Sequence, residues 1–273
     1  MKTVVVQGGT DGIGREVALL HLRRGDTVLI VGRTASKGEA FLRAARDLDA
    51  GERAFFVAAD LSLISENRRV LEQITSLFPV VDVLVMCARH CLSTRRETPE
   101  GLEETFALFY LSRFLFSHGL VDRLEKSANP IVFNVAGPGD RQVVRWHDLQ
   151  YTQDYHGAAA LGYNGRLVDL LAVSCADRYA AAGIRQVMFH PGVVSTSFSG
   201  EYDEQTAAQV ELLKLAGKSL AESLAQLVPC LDNPPPEPLS AFVEGRRIQL
   251  HPSLFDADDA KRLHDITEKL LAR

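Results

Sequence analysis

The sequence predicts a doubly wound α/β fold, a parallel sheet with helices on both faces. Three observations predict it. Short β-branched and apolar runs alternate with helical stretches along most of the chain. A glycine-rich turn separates the first of these runs from the first helix. Val80 to Met86 is nearly continuous Val and Leu, the mark of a strand buried on both faces.

The elements follow in order. Thr3 to Gln7 is a β-branched strand. Gly14 to Arg24 carries Val17, Leu19, Leu20 and Leu22, a helical pattern that Gly25-Asp26 ends. Thr27 to Val31 is the second strand, and Glu39 to Leu48 a helix. Ala54 to Ala58 is a strand, and Ser65 to Phe78 a helix. Beyond Val80–Met86 the pattern gives a helix over Gly101–Leu124, a strand over Ile131–Val135, a helix over Gly157–Ala182 and a strand over Arg185–Phe189. A helix over Thr206–Leu227, a proline-rich loop over Asn233–Pro238 and a helix over Ala257–Leu271 complete the chain. Strands separated by helices imply right-handed crossovers and a parallel sheet. No linker or internal repeat interrupts this rhythm, so residues 1–273 read as one domain.

Composition narrows the function. Of 273 residues, 46% are hydrophobic and 24% charged, which excludes disordered and fibrous classes. A net charge of -5 with scattered Lys and Arg gives no footprint for nucleic acid or an acidic membrane. Cys87, Cys91, Cys175 and Cys230 form no C-x-x-C pair. Cys87 and Cys91 have only His90 as a further ligand, where zinc takes four, so no metal is expected. No run of 18 apolar residues and no secretory leader is visible. The expectation is a cytoplasmic protein, monomer or homodimer.

Gly8-Gly9-Thr10-Asp11-Gly12-Ile13-Gly14 lies between the first strand and the first helix. Glycine allows a tight turn and close backbone approach to a pyrophosphate, and the helix N-terminus offers free N–H groups and a positive dipole end. The bland alternative is a turn that serves helix packing only. At the tip of the second strand, a carboxylate would take the ribose hydroxyls, whereas an Arg accommodates a 2′-phosphate. The chain has Arg33-Thr34 there, with Lys37 following and no acid at the tip. NADP(H) is therefore the expected cofactor.

The spacing Gly8-x-x-x-Gly12-Ile13-Gly14 resembles the short-chain dehydrogenase/reductase superfamily, whose fold is Rossmann-like. Asp60-Leu61 resembles the family's Asp-Leu pair against adenine. His190-Pro191-Gly192-Val193-Val194-Ser195-Thr196 is similar to its Pro-Gly-x-x-x-Thr segment at the nicotinamide. Trp146-His147-Asp148-Leu149 and the terminal Asp256 to Leu263 resemble the retinol-dehydrogenase-like branch. The resemblance implies a cofactor site built from Gly8, Thr10, Asp11, Gly12, Ile13, Gly14, Arg33, Thr34, Lys37, Asp60, Leu61, Ala88, Arg89, Val135, Arg166, Pro191, Gly192, Val193, Val194 and Thr196. Residues to about 195 would bind the cofactor, and those from 196 on would cover the substrate.

The catalytic signatures depart from the family. Its Tyr and Lys lie four apart on one helix face, and matching Leu167-Val168-Asp169-Leu170-Leu171 puts Gly162 and Arg166 at those positions. Tyr163 is one residue off, roughly 100° around the helix. Gly137 stands where the family has Ser, Phe109 where it has Asn, and Cys87-Ala88-Arg89 where it has Asn-Ala-Gly. Tyr163, Tyr155, Ser195 and His147 remain as weak candidates for a proton donor. The resemblance implies an NADPH-dependent ketoreductase acting on a bulky aromatic polyketide, as angucyclinone-type ketoreductases do, with the substrate's own hydroxyl assisting proton transfer. The alternative is a catalytically silent NADP(H)-binding relative.

Overall fold

The computed structural model describes residues 1–272. The β-branched opening forms β1 (Thr3–Gln7), followed by α1 (Gly12–Arg23), β2 (Thr27–Gly32), α2 (Ala35–Asp47), β3 (Ala54–Ala58) and α3 (Ile64–Leu77). Next come β4 (Val83–Met86), the two-residue β5 (Cys91–Leu92), a π-helical segment Phe106–Leu111, α4 (Ser112–Gly119) and α5 (Val121–Leu124). The second half holds β6 (Ile131–Val135), α6 (Gly157–Tyr179), β7 (Arg185–His190) and β8 (Gly200–Glu201). It ends with α7 (Glu204–Ala216), α8 (Leu220–Asp232), β9 (Leu239–Val243), β10 (Arg246–Arg247) and α9 (Ala257–Leu271).

The main sheet runs β3-β2-β1-β4-β6-β7-β9-β10, parallel except for the last strand. The strand order reverses beside β1, which pairs with β2 on one side and β4 on the other. At such a reversal the two crossovers leave on opposite faces and open a crevice at the carboxyl ends of the strands. Alternation within strands supplies both faces of the core. Val4 and Val6 pack beneath α1, α2 and α8, while Val5 and Leu84 face α3 and α4. Helix α9 lies across α6, burying Ala260 and Leu263, and Thr267 hydrogen-bonds Tyr110 at 2.7 Å.

Several segments differ from the sequence expectation, among them the helix expected over Gly101–Leu124, which is the π-helical Phe106–Leu111 followed by α4 and a separate α5. The helix expected over Thr206–Leu227 is two helices, α7 and α8. Gly217 is extended, and Ser219 with Glu222 forms a capping box that starts α8 anew. The strand β9 follows the proline loop directly and pairs with β7, adding a strand the sequence pass did not find. Helix α2 begins at Ala35, four residues before the expected Glu39, because β2 ends at Gly32 and Thr34 is already an extended N-cap.

Against α6 and α9, His118 and His264 face each other with ring centroids 5.0 Å apart. Burial, then His264 and Arg178, push the His118 pKa down to about 3. Burial also lowers that of His264, helped by Arg178 and opposed by Glu268 and Asp265. His118 stays neutral in the folded protein and His264 resists protonation in the same sense, whereas both take protons below about pH 6.5 when unfolded. The unfolded chain then binds more protons, so stability falls as pH drops from about 6.5. The urea midpoint is expected to decline between pH 7 and pH 5, and His118→Phe is expected to flatten that decline.

Candidate active site

A cavity of about 630 Å³ opens at the carboxyl ends of β1, β2, β4, β6 and β7. Its floor is the glycine turn. Gly8 has φ +77°, and a Cβ there would lie 2.6 Å from the backbone nitrogen of Ala88. A Cβ on Gly14 would lie 2.3 Å from the Gly8 carbonyl oxygen. The turn can therefore hold only glycine at these points, and α1 starts at the edge of the sheet. Asp11 caps α1 by accepting from the Gly12 N–H at 2.8 Å, and its other oxygen pairs with Lys37. Burial raises the Asp11 pKa, but the Lys37 and Gly12 hydrogen bonds outweigh it and hold the carboxyl below its usual range.

The second wall comes from the loop after β7. Pro191, Gly192, Val193, Val194 and Thr196 all line the cavity. The Thr196 methyl lies 3.3 Å from where a Gly12 Cβ would stand, so this loop closes on the glycine turn. Arg33 sits exposed at the tip of β2, with Nη1 3.9 Å from the buried Glu104 carboxylate. Thr10, Ile13, Thr34, Leu61, Ala88, Arg89 and Val135 also line the cavity.

Two expected cofactor contacts lie elsewhere. Asp60 is off the wall, its Oδ1 accepting from the Ser62 N–H and hydroxyl at 3.0 and 2.7 Å. The Arg166 guanidinium turns away from the cavity and donates to the Leu254 carbonyl. The four weak proton-donor candidates do not line the cavity either. Tyr163 is buried edge-on against Tyr151, on the far side of α6 as the 100° offset requires. Tyr155 spends its hydroxyl near Glu103, Leu92 and Thr105, and burial raises its pKa to about 12. Ser195 is exposed and is held by its N–H to the Lys218 carbonyl at 2.9 Å. His147 is exposed on the loop before α6.

Other groups occupy the centre. A Cβ on Gly137 would lie 3.4 Å from His190 Cδ2, and one on Gly162 would lie 2.6 Å from Gln142 Nε2 and 3.0 Å from Asp140 Oδ2. His190 and Asp140 both line the cavity, as do Phe198 and Tyr202 from the segment around β8. Sequence reasoning missed these four as site residues, although His190 directly precedes the Pro191-Gly192 pair. Beneath them Arg113 is 0% exposed, bonded to Asn134 and the Val135 carbonyl at 3.1 Å each, and stacked 4.6 Å over Phe109. Burial lowers its pKa to about 9. Burial likewise raises the Cys87 thiol to about 12; Cys87 is half-buried, lines the cavity and packs beside Gly14.

The family model for short chain dehydrogenases matches residues 2–147, more than half the chain. The protein belongs to the short-chain dehydrogenase family. Mouse retinol dehydrogenase 12 is 31% identical over 195 residues, 71% of this chain and 61% of its own. An uncharacterized oxidoreductase of Saccharomyces cerevisiae is 31% identical over 201 residues, with the same coverage. The chain thus spans about three-fifths of the length of these curated relatives. The crystal structure of NADPH-bound carbonyl reductase from chicken fatty liver shares the fold, with a TM-score of 0.68 at 16% identity, covering 91% of this chain and 98% of that one.

The turn of this short-chain dehydrogenase fits a dinucleotide. A Cβ would fill the cradle at Gly8, Gly12 has φ +51°, and the first turn of α1 opens on the cavity. Gly8→Ala is expected to lower stability by about 2 kcal/mol or more, since it combines left-handed strain with a backbone clash. Urea denaturation checks this, with Gly25→Ala as comparison, where φ is +89° but nothing lies within 4 Å.

Proposed function

We propose that this chain is an NADPH-dependent ketoreductase that acts on a carbonyl of a bulky aromatic substrate of the angucyclinone polyketide kind. What supports the reading is the pairing of a glycine-built dinucleotide cradle with Gly162, Arg166 and Gly137 where the family resemblance places Tyr, Lys and Ser. Gly162, Gly137 and Phe109 border the cavity where the family resemblance places Tyr, Ser and Asn, and Arg166 points out of it. Gly8, Gly12, Ile13, Thr196 and the Pro191-Gly192 turn would hold the pyrophosphate and nicotinamide, and Arg33 with Lys37 the 2′-phosphate. When bound, NADPH supplies hydride to the substrate carbonyl. The cavity of about 630 Å³ suits a flat polycyclic ligand. An ortho- or peri-hydroxyl already hydrogen-bonded to the carbonyl polarises it and can give it a proton. A positioned acid contributes roughly 10²–10⁴-fold, and a substrate hydroxyl at the same place does the same work.

The family membership and the names of its retinol dehydrogenase and carbonyl reductase relatives support carbonyl chemistry. All four cysteines are unpaired, which suits a reducing cytoplasm. Among the described residues no helix is long and apolar enough to cross a membrane. A second reading, a silent NADP(H)-binding relative, rests on Arg166, which is turned to Leu254 and leaves no charge on α6 facing the cavity.

NADPH consumption with a panel of ortho- and peri-hydroxy aryl ketones decides between them. Turnover is expected with these and is expected to be lost with matched ketones lacking the hydroxyl. No turnover of either set leaves the silent reading, and equal turnover removes substrate assistance. Arg33→Ala is expected to weaken NADPH binding about tenfold or more while leaving NADH nearly unchanged, as measured by cofactor fluorescence. Equal losses would refute the 2′-phosphate assignment.

A further inference from the structure

Two nitrogen-bearing side chains line the cavity and have no part in the carbonyl chemistry above: His190, and Arg89, which the family resemblance put among the cofactor contacts. His190 ends β7, and a Cβ on Gly137 would lie 4.0 Å from its Nε2. Its Nδ1 accepts the Gly192 N–H at 3.1 Å. An accepting ring nitrogen carries no proton in neutral imidazole, so the proton sits on Nε2, the atom nearer Gly137. Burial lowers the His190 pKa, Arg89 and Lys218 add to this, and Glu244 opposes it. At neutral pH the ring is an uncharged donor beside the place where the family resemblance puts a Ser hydroxyl.

Arg89 follows the end of β4. Its side chain is exposed and lines the cavity. It follows Ala88 on the wall that also carries Tyr202, Cys91 and Cys87. The carboxylates on the wall are Asp11, paired with Lys37, and Asp140, which accepts from the Gln142 N–H at 2.9 Å. Arg89 is thus a guanidinium on the cavity wall that neither of these carboxylates pairs with. Its planar fork of donors suits an anionic ligand.

We propose that Arg89 and His190 form an anion-receiving pair for a hydroxyaryl ketone, His190 for the carbonyl oxygen and Arg89 for the phenolate beside it. The proposal rests on the ketoreductase reading. Reduction adds hydride at the carbonyl carbon and leaves the C=O π pair on oxygen. The Nε2–H of His190 donates to that oxygen as its charge grows. The oxygen then takes the proton of the adjacent phenol, so one O–H bond forms, one breaks, and a phenolate remains. Arg89 holds the phenolate until water reprotonates it on release. The positive charge that an α6 lysine would supply comes here from the β4 side of the cavity.

The probe is 1-hydroxy-2-acetonaphthone, whose phenolate absorbs apart from the phenol. It is titrated against the protein with NADP⁺ present, so that no reduction occurs. The bound probe is expected to ionise roughly one pH unit below the free probe, a tenfold preference for phenolate. Arg89→Met is expected to abolish that shift and weaken phenolate binding about tenfold or more, and Arg89→Lys to keep part of it. An unchanged shift in Arg89→Met overturns the Arg89 assignment. His190→Phe keeps the ring volume without the donor. It is expected to lower kcat about a hundredfold with unchanged NADPH affinity, and His190→Gln to restore part of the loss. Equal kcat in His190→Phe and the parent overturns the His190 assignment. If the parent reduces no ketone, the ketoreductase reading falls, and the probe titration alone then upholds or overturns the anion site.

Discussion

The approach of the Gly8 backbone to Ala88 governs the rest of the molecule. No side chain can stand between them, because a Cβ would lie 2.6 Å from the Ala88 nitrogen. The ends of β1 and β4 are thereby drawn together at the point where the strand order reverses. Gly14 repeats the constraint from the other side, with the Gly8 carbonyl oxygen 2.3 Å from its missing Cβ. Together they fix where α1 begins and aim its N-terminus at the crevice. The loop around Thr196 closes on Gly12 from the opposite half of the sheet. A cleft that can hold a dinucleotide is the consequence of two backbone contacts, and the cofactor's own groups then need only fill it.

The glycines at the centre of the cavity act differently. At Gly8 the missing side chain lets backbone meet backbone. At Gly137 and Gly162 it lets other side chains in, His190 at one and Gln142 with Asp140 at the other. The centre of the site is therefore a redistribution of polar groups rather than a void. Arg166 shows the complement. It keeps a positive charge on α6, but the Leu254 carbonyl draws it off, and burial lowers its pKa. A longer, planar head group at that position finds its partner on the segment before α9 instead of in the cavity.

Much of the fold was legible. Nearly continuous Val and Leu marked β4, and the glycine turn marked the crossover that follows β1. The break between α7 and α8 was also written in the chain, as Gly217 and the Ser219-x-x-Glu222 box, yet the apolar periodicity on either side concealed it. Strand β9 is five residues directly behind a proline run, too short for its pattern to stand out, and it is fixed by pairing with β7. The glycine turn and the loop after β7 could be read because backbone geometry dictates their composition. The direction of Arg166 could not, since it depends on a carbonyl 88 residues away. Nor could the approach of His190 to Gly137, which depends on the pairing of β6 with β7.

Two guanidiniums lie near the ends of β4 and β6, and their contrast orders the chemistry of the site. Arg113 spends its donors inward, on Asn134 and on the carbonyls of Val135 and Ala88, and lays its face on Phe109. Those bonds tie β6 to the segment after β4, so its charge is structural. Arg89 stands one residue beyond Ala88 and lies exposed on the cavity wall. Burial, far more than Arg89, lowers the affinity of Arg113 for its proton. Burial first, then Arg89 and Lys218, disfavour a second proton on His190, and Glu244 opposes them. Arg89 and His190 thus line one cavity, whose shape is set where Gly8 lets Ala88 approach.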